Sequence, residues 1–430
     1  MVITVFGLGF VGLTTALGFA EFGHTVYGVE MNSERLDTIK AGHLPFLEEG
    51  LDKALLHHLN HNFHPIAPDG LDVAIAQSDC IYYCVGTPYG KDGQADLTYL
   101  LNAIDETIDL IKDYRFRVLV VKSTIPPSTT ENRIIPHIRQ RGIIVGESAE
   151  SSRQDVLHVG VANNPEFLRE GHCWDDFMKA DRIVLGISDK KSEKILREIY
   201  ASTSIPVFCV SLNTGEFVKY LSNTLLATLI SYSNEMSIIA DTIGHIDIAK
   251  AFHILHMDKR WGNAPMSSYV YPGCGYGGYC LPKDTNALYA IAKSAGKDAP
   301  ILKNVIATND SMPAFMAERI MKAAGGKGQH SKIAILGLSF KPGSDDVRDT
   351  PSAKIISQLL MHGYKDILGY DPVANTEFKK HYDLPITYYD HYKEILKDAD
   401  ILVIATAWSE FKSIHSVTDK PVIDCRYMLD

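Results

Sequence analysis

The sequence lacks three features: an apolar run long enough to cross a bilayer, an excess of basic residues and a paired set of cysteines. It has 42 Lys and Arg against 52 Asp and Glu, which gives a net charge of −10. This balance argues against nucleic acid or an anionic membrane surface as a partner. The seven cysteines match neither a disulfide framework nor a zinc-ligand spacing, as is typical of free thiols in a reducing compartment. Because Met1 leads directly into a predicted strand, we expect no signal peptide and a cytoplasmic location.

What the sequence does contain is, first, a nucleotide-binding pattern. A short β-branched run leads into Gly-Leu-Gly-Phe-Val-Gly at 7–12, then an apolar helix, then a second strand that ends at Glu30. Gly7 permits a tight turn, Gly9 lets a pyrophosphate approach, and Gly12 lets the helix pack on the sheet. The carboxylate of Glu30 suits the adenosine ribose hydroxyls and repels a 2′-phosphate. The pattern therefore predicts NAD rather than NADP as the cofactor.

Two later strands, at 80–85 and 118–122, run into turns that contain Thr87 and Thr124. The carboxyl ends of strands in a doubly wound sheet face the cofactor crevice, so we expect both threonines to contact the ligand. Each could also cap the helix that follows it.

Two carboxylates four residues apart, Glu166 and Glu170, lie in a segment that opens with Asn-Pro. If they are exposed, they are charges on a helix surface. If they face a crevice, they offer a base and a polar contact. The next strand, at 182–186, is predicted to be the last of the first domain.

Residues 33–70 are predicted to form helices and loops, with four histidines in a polar stretch. No carboxylates accompany them at ligand spacing, so we expect a solvated surface rather than a metal site. The four are His57, His58, His61 and His64.

One long helix is predicted from Asn213 to about 243, with Asn213 and Glu216 as a capping box. At 1.5 Å per residue it would be roughly 45 Å long, more than one small domain needs. Such a helix ties domains together or pairs with its copy in another subunit. Lys219 and Asn223, four residues apart, share one face of it. The apolar neighbours of Lys219 suggest partial burial, where a lysine needs a partner.

A glycine-rich loop at 273–279 precedes Cys280, Lys283 and Asp284. Four glycines in six residues do not sustain a helix or a strand, but they let the backbone come close to a ligand. With a cation nearby that can lower its pKa, Cys280 is predicted to be a nucleophile. The alternative is a glycine-rich turn in which the thiol only packs.

The glycine run at 325–328 is the clearest linker in the chain, and the α/β pattern restarts after it. This second α/β region has no glycine fingerprint, so we do not expect a second dinucleotide. Instead Lys341, Arg348 and Arg426 supply cations near predicted strand ends, which suits a nucleotide diphosphate. The predicted fold class is α/β, with two Rossmann-like doubly wound domains (1–200 and 326–430) joined by a central helical domain (201–325) that contains the long helix.

Taken together, six motifs resemble those of the UDP-glucose/GDP-mannose dehydrogenase family along essentially the whole chain. They are GLGFVG at 7–12, VGTP at 85–88, STIPP at 123–127, NPEFLREG at 164–171, GYGGYCLPKD at 275–284 and LGLSFKPGSDDVRDTPS at 336–352. The resemblance implies an N-terminal NAD domain, a central dimerising helix and a C-terminal domain for the sugar nucleotide. It also implies oxidation of a sugar C6 alcohol to the carboxylate with two NAD.

The resemblance assigns roles by motif position. It implies that Cys280 holds the intermediate as a thiohemiacetal and then a thioester. The implied catalytic partners are Lys219, Asn223 and Asp284 around the developing oxyanion, with Glu166 and Thr124 for water activation and thioester hydrolysis. The predicted cofactor-side residues, including the glycine fingerprint, are Gly7, Gly9, Val11, Gly12, Glu30, Arg35, Thr87, Thr124, Glu170, Lys283 and Arg348. The predicted sugar-nucleotide contacts are Glu166, Phe167, Leu168, Arg169, Glu170, Lys219, Asn223, Arg260, Tyr269, Val270, Tyr271, Pro272, Gly273, Gly277, Lys341 and Arg426.

Two short segments, 258–262 and 180–182, resemble the branch of the family that uses UDP-glucose. We therefore expect UDP-glucose rather than GDP-mannose or a UDP-N-acetylhexosamine, in a homodimer or higher homo-oligomer with Arg260 reaching across the interface. A rival from another class is a non-catalytic NAD-binding scaffold, which would not need Cys280. A two-electron hydroxyacid dehydrogenase would share the first domain but would need neither the nucleophile nor the third domain.

Overall fold

The structure, a computed structural model, forms two units, Met1–Leu221 and Ser222–Asp430. The residues that it describes are 1–88, 95–146, 156–258 and 269–429.

The first unit is built on one sheet whose strands are apolar on both faces. Its strands are β1 (Val2–Phe6), β2 (Thr25–Val29), β3 (Phe63–Ile66), β4 (Cys80–Tyr83), β5 (Arg117–Val121), β6 (Ile144–Val145), β7 (His158–Asn163), β8 (Ile183–Ile187) and β9 (Val207–Val210). They pair in the order β3-β2-β1-β4-β5-β7-β8-β9, with β6 beside β7. All pairs are parallel except β7 with β8. The order on either side of β1 is that of a doubly wound dinucleotide fold.

Helices cover both faces of this sheet. They are α1 (Phe10–Glu21), α2 (Ser33–Lys40), α3 (Leu51–His58), α4 (Leu71–Gln77), α5 (Thr98–Leu110), α6 (Ile135–Gln140), α7 (Cys173–Met178) and α8 (Lys190–Ile199). Successive side chains of a strand point to opposite faces. In β5, accordingly, Val118 and Val120 join one buried core, while Leu119 and Val121 join the other.

Strand β3 corrects the expectation of helices and loops over 33–70. It is the edge strand of the sheet and contains Pro65, which an edge tolerates because no neighbour on the outer side needs its missing N–H. One of the four histidines is also not on a solvated surface. His58 is buried and its ring nitrogens lie 2.6 Å from Glu21 Oε2 and 2.9 Å from Asn62 Oδ1.

Strand β9 corrects the expectation that the sheet ends with the strand predicted at 182–186. Val207–Val210 pairs in parallel with β8. The signal was weak because Phe208 is more than half exposed and the other residues of β9 are only partly buried, as in an edge strand.

The long helix is present as α9 (Leu212–Ile243), and it contributes its first turns to the first unit and the rest to the second. The predicted capping box is wrong. Ser211 caps the helix, because its Oγ accepts from Thr214 N at 3.2 Å. Glu216 instead accepts hydrogen bonds from Thr130, in a π-helix at Thr130–Ile134.

The second unit has a smaller, wholly parallel sheet. Its strands are β10 (Ile333–Leu336), β11 (Ile367–Tyr370), β12 (Thr387–Tyr388), β13 (Ile401–Ile404) and β14 (Val422–Asp424). They pair in the order β12-β11-β10-β13-β14. The helices of this unit are α10 (Ile248–His256), α11 (Cys280–Ser294), α12 (Pro300–Ala324), α13 (Pro351–Met361), α14 (Asn375–His381) and α15 (Tyr392–Asp398). Again each face of the sheet has its own apolar core.

The predicted fold class is therefore confirmed, with two doubly wound parallel sheets and one long helix between them in the chain. The two-residue strand β12 was not expected. The boundaries at 200 and 325 stay predictions. No helix in the described part of the chain is long and apolar enough to span a membrane.

Candidate active site

The glycine turn after β1 has the geometry that a dinucleotide site needs. Gly7 has a φ of +84°, and α1 begins at Phe10, so the first N–H groups of that helix lie next to the turn. A Cβ on Gly12 would lie 1.7 Å from Gly7 O, whereas a Cβ on Gly9 would meet nothing within 4 Å. Gly12 is thus required by packing, and Gly9 leaves open space where a pyrophosphate would lie.

Glu30, at the end of β2, is bound to this turn. Its Oε2 accepts from Leu8 N at 3.0 Å and from Arg35 Nη1 at 3.2 Å, and its Oε1 accepts from Asn32 N at 2.8 Å. The side chain is buried, so its carboxylate is held beside the glycine turn. These residues fit an adenosine ribose at that edge of the sheet.

The two threonines predicted at strand ends are linked to each other. Thr87 Oγ1 donates to Thr124 O at 2.8 Å. The turns after β4 and β5 are therefore held together, next to the turn after β1, as the carboxyl ends of neighbouring strands should be.

Glu166 and Lys219 form a buried ion pair in the first unit. Lys219 Nζ lies 2.8 Å from Glu166 Oε1, and Leu168 N donates to Glu166 Oε2 at 2.7 Å. Burial alone would raise the pKa of Glu166, but the charge and hydrogen bond of Lys219, the Leu168 N–H and the charge of Lys122 together lower it. Glu166 is thus a carboxylate held in an apolar setting by cations.

A cavity of about 10 Å³, enough for roughly one water molecule, is lined by Lys219 and Thr124. Thr124, predicted for thioester hydrolysis, thus lies near the lysine that pairs with Glu166. Glu216, which sequence reasoning used only as a helix cap, also lines the cavity. Burial raises the pKa of Glu216, although Thr130 donates to it from N and Oγ1.

The segment after Glu166 is a loop rather than a helix. Phe167, Leu168 and Glu170 are half-buried in it, whereas Arg169 is exposed and forms a bidentate pair with Asp176. A further residue, Glu48, fixes the end of this loop by accepting from Gly171 N and Cys173 N. That role could not be predicted from the sequence, because the loop that contains Glu48 lies more than 100 residues earlier in the chain.

In the second unit, Cys280 is exposed and is the first residue of α11. The helix N-terminus therefore places positive potential near the thiol. Four residues later in α11, Asp284 is almost fully buried and accepts hydrogen bonds from Asn223 Nδ2 at 2.6 Å and from Lys283 Nζ. Three of the predicted polar residues thus form one hydrogen-bonded group around a buried carboxylate.

Two asparagines hold the glycine-rich loop that precedes Cys280. Asn234 Oδ1 accepts from Gly273 N at 2.8 Å. Asn309 accepts from Tyr276 N at 2.8 Å and donates to Tyr276 O at 3.2 Å. Sequence reasoning missed both, since a single Asn within a helix carries no signal for a distant backbone partner.

The same loop packs against the segment that contains Arg348. Gly278 N donates to Arg348 O at 2.9 Å, and the guanidinium of Arg348 lies 4.8 Å from the ring centre of Tyr279. A Cβ on Gly277 would lie 2.4 Å from Asp349 O, so a side chain is excluded there. Arg348 is also paired with Asp346.

The segment 269–273 lies beside the C-terminal residues of the chain. Tyr271 OH donates to Tyr427 O at 3.1 Å, and a Cβ on Gly273 would lie 3.3 Å from Arg426 Nη1. Val270 and Pro272 are buried, and Tyr269 is half-buried. Lys341 Nζ lies 5.3 Å from the ring centre of Phe340, in the turn after β10. Arg260 lies outside the described residues.

Three family models together cover most of the chain. The NAD binding domain of the UDP-glucose/GDP-mannose dehydrogenase family matches residues 1–204, its central domain matches 213–311 and its UDP binding domain matches 334–430. The chain belongs to this family. NAD is accordingly its cofactor, in agreement with the glycine turn and Glu30.

Relatives of this dehydrogenase match along its whole length. A UDP-glucose 6-dehydrogenase of Bacillus subtilis is 36% identical over 433 residues, covering 100% of this chain and 93% of its own. The structure of a UDP-glucose dehydrogenase from Pyrobaculum islandicum matches with a TM-score of 0.89 at 33% identity, over 99% of this chain and 94% of that one. A UDP-D-ManNAc dehydrogenase from Pyrococcus horikoshii matches with a TM-score of 0.83 at 27% identity, over 100% and 96% of the two chains.

No cluster of His, Cys, Asp and Glu that could hold a metal ion occurs in the described parts of this dehydrogenase. Its seven cysteines are all free thiols, and Cys280 is the exposed one among them.

Proposed function

We propose that this enzyme oxidises C6 of UDP-glucose to the carboxylate, with two NAD per sugar and with Cys280 as the covalent nucleophile. The full-length similarity to dehydrogenases named for UDP-glucose supports the substrate. The observation that carries the mechanism is the exposed thiol at the start of α11, next to the buried Asp284 group. A scaffold that only bound NAD would need neither.

The reaction has four steps. NAD accepts a hydride in each of two oxidations. First the C6 alcohol loses a hydride and its hydroxyl proton, and the Cys280 thiolate bonds to the resulting aldehyde carbon. Loss of the second hydride converts this hemithioacetal into a thioester. Water then adds to the thioester carbon and gives up a proton, and the C–S bond breaks to return the thiolate. One alcohol, two NAD⁺ and one water thus give one carboxylate, two NADH and three protons.

The residues of each cluster have separate tasks in this scheme. Lys219, Asn223 and Asp284 stabilise or orient the oxygen that becomes negative, since donors must meet that charge. Glu166, held as a carboxylate, takes the proton of the attacking water, and Thr124 helps to orient that water.

The binding residues are assigned by motif position. We assign the cofactor to the turn after β1 with Glu30, Arg35, Thr87 and Glu170, and to Lys283 and Arg348. We assign the sugar nucleotide to segments 166–170 and 269–273, Gly277, Lys341 and Arg426. A free nucleophilic thiol also suits a reducing compartment, so we place the enzyme in the cytoplasm.

The substrate is tested by NADH yield against a panel of sugar nucleotides. We expect two NADH for each UDP-glucose consumed, without free aldehyde, and lower kcat/KM for GDP-mannose and UDP-N-acetylhexosamines. A higher kcat/KM for one of those sugars would replace UDP-glucose as the substrate and leave the chemistry intact.

The nucleophile is tested by two substitutions at Cys280. Cys280→Ser retains the shape but supplies a poorer nucleophile and leaving group, so turnover should be almost lost while NAD binding and folding survive. Cys280→Ala should show no covalent adduct by mass spectrometry. A Cys280→Ala enzyme that still makes two NADH per sugar at a near-native rate would contradict the mechanism.

We also propose that the enzyme is a homodimer through α9. Leu225, Tyr232 and Ile239 recur every seven residues on that helix and are 47%, 51% and 45% exposed. A seven-residue apolar repeat is typical of helices that pair with another helix, and the same stripe on a second copy is the simplest occupant. Light scattering should show a dimer in the wild type and a monomer for Tyr232→Glu. A fully active wild-type monomer would contradict this proposal.

A further inference from the structure

Lys122 is a buried cation that the scheme above does not use. It follows β5 directly and is only 4% exposed. Its Nζ donates to Asn164 Oδ1 at 3.1 Å and to Asn164 O at 3.4 Å. No carboxylate in the described residues lies within ion-pair distance of it. Burying a charge with only neutral partners is costly, so a residue of this kind needs a reason.

The other end of the same strand shows the usual arrangement. Arg117 is fully buried and forms a bidentate pair with Asp113, with N–O distances of 2.6 and 2.9 Å. Hydrogen bonds from Arg117 lower the pKa of Asp113 to about 2. Arg117 thus has its own counter-charge, and Lys122 does not.

The partner of Lys122 is the residue that anchors the Glu166 loop. Asn164 N donates to Val121 O and its Nδ2 donates to Val184 O, each at 2.9 Å. Its Oδ1 accepts from Tyr200 OH at 2.7 Å as well as from Lys122. Glu166 comes two residues later, so Lys122 fixes the start of the turn that presents Glu166.

Lys122 also acts on Glu166 through its charge, which helps to lower the pKa of that carboxyl. Burial in turn lowers the pKa of Lys122, whereas the charge of Glu166 raises it and that of Lys219 lowers it further. Burial also raises the pKa of Glu216, which lines the cavity with Lys219. It raises the pKa of four thiols and phenols near this cluster, which are therefore neutral near pH 7. They are Cys84, Cys173, Tyr82 and Tyr200.

We propose that Lys122 is a positioning residue for thioester hydrolysis: it holds Asn164, and it supplies the second positive charge that keeps Glu166 ionised. This inference rests on the role proposed for Glu166. When Lys219 donates to the substrate oxygen, Glu166 shares its direct counter-ion with the substrate. Lys122 is held by Asn164 and takes no part in that exchange, so its charge continues to act on Glu166. Glu166 can then accept the proton of the attacking water as a carboxylate.

The test compares Lys122→Met with the wild type and with Lys191→Met, which removes an exposed lysine of α8 that lies over Phe116. The loss of the covalent adduct is followed by mass spectrometry from pH 4 to 8, with NAD and UDP-glucose saturating. For Lys122→Met we expect the acid limb of hydrolysis to move up by about one pH unit, so that hydrolysis is about tenfold slower on that limb and unchanged on the plateau at higher pH. The first hydride transfer should change by less than about twofold. Lys191→Met should match the wild type, and Lys122→Arg should restore the limb.

Stability at pH 7 provides a second readout, because removal of a lysine that only supports the fold would lower the free energy of unfolding. Lys122→Met should be as stable as the wild type at pH 7, or more so, because a buried charge is removed. The folded pKa of Lys122 is lowered, so wild-type stability should rise with pH between that pKa and the unfolded value of about 10.4, and the variant should lack this rise. A variant that is less stable at pH 7, with an unshifted acid limb, would overturn the inference.

The two proposals fail in different ways. If the wild type oxidises no sugar nucleotide, the proposed function falls, and the role of Lys122 falls with it. If the wild type makes two NADH per sugar and Lys122→Met hydrolyses its adduct with the wild-type pH profile, only the role of Lys122 falls. If another sugar nucleotide is the better substrate, the same comparison is made with that sugar and has the same two outcomes.

Discussion

The first strand of each sheet, β1 or β10, is followed by a similar glycine turn, but the two turns differ in the hydrogen bonds of the acid beside them. Gly7 follows β1 with a φ of +84°, and Gly337 follows β10 with a φ of +93°. In each unit the second strand ends in an acid that accepts from the residue after the glycine. Glu30 accepts from Leu8 N at 3.0 Å, and Asp371 accepts from Leu338 N at 2.8 Å. The frame of a nucleotide-binding fold is thus present twice.

The two turns differ in how much hydrogen-bonding capacity the acid retains for a ligand. Glu30 accepts from three donors, whereas Asp371 accepts from six, so its lone pairs are used within the protein. The donors to Asp371 are Leu338 N, Ser339 N, Ser339 Oγ, Val373 N, Ala374 N and Trp408 Nε1. Moreover, α1 begins three residues after Gly7, whereas α13 begins only at Pro351. One frame is therefore left open for a dinucleotide, and the other uses its acid as a structural anchor.

Among substitutions that test this difference between the two turns, Gly12→Ala should have the largest effect, on the free energy of unfolding. Its Cβ would lie 1.7 Å from Gly7 O, so the helix or the turn must move. We expect the free energy of unfolding to fall by about 3 kcal/mol or more, measured by urea denaturation. Gly9→Ala is the matched control, because its Cβ meets no protein atom. It should unfold like the wild type but bind NAD at least about tenfold more weakly. Equal stability of the two variants would contradict the packing role of Gly12.

Asp371→Asn should have the next largest effect. An amide can accept at only one of the two oxygen positions and lacks the charge, so several hydrogen bonds weaken together. We expect a loss of about 2–4 kcal/mol in the free energy of unfolding, with an unchanged KM for NAD. If NAD binding weakened while stability held, the second turn would be a dinucleotide site after all.

Glu30→Ala should affect cofactor choice more than folding. Without the carboxylate, NAD loses its ribose contacts and NADP loses a repulsion. We expect kcat/KM for NAD to fall about tenfold, equivalent to about 1.4 kcal/mol, and the gap between NAD and NADP to narrow. Equal wild-type efficiency with the two cofactors would contradict the assignment of Glu30.

Ser339→Gly should have the smallest effect, although it makes the second turn more like the first. It removes one hydrogen bond to Asp371, so we expect a loss of about 1 kcal/mol in the free energy of unfolding. Calorimetry should detect no second molecule of NAD, because Asp371 is still occupied. Binding of a second NAD would mean that Ser339 alone closes this site.

The sequence predicted the parts of the fold that local chemistry decides. The glycine turn, Glu30 and α9 were predicted because spacing and periodicity encode them within one segment. The strands it missed are β3, β6, β7, β9 and β12. Most have weak local signals: β3 contains a proline, β9 is partly exposed, and β6 and β12 have only two residues. The buried strand β7 is interrupted by Gly160, which weakens its β-branched pattern. Such strands depend on a neighbouring strand that is distant in the sequence.

In the active site, too, individual residues could be predicted from the sequence, whereas their contacts with distant residues could not. Glu166, Lys219 and Asp284 were singled out from the sequence, but their pairings were not, because the ion pair of Glu166 and Lys219 joins residues far apart in the chain. Lys122 was predicted only as the end of a strand. Its partner Asn164 became visible only when β5 and β7 were seen to be neighbours.

The two asparagines behind the Cys280 loop have a consequence for engineering and for evolution. The loop is rich in glycine, yet Asn234 of α9 and Asn309 of α12 bind its backbone at Gly273 and Tyr276. The position of Cys280 is therefore determined by contacts from two helices rather than by the loop itself. If this loop were replaced by that of a relative with another sugar preference, the new loop would keep these hydrogen bonds only if both asparagines were present. We therefore expect changes in substrate preference to involve the side chains of the loop, while the two asparagines remain unchanged.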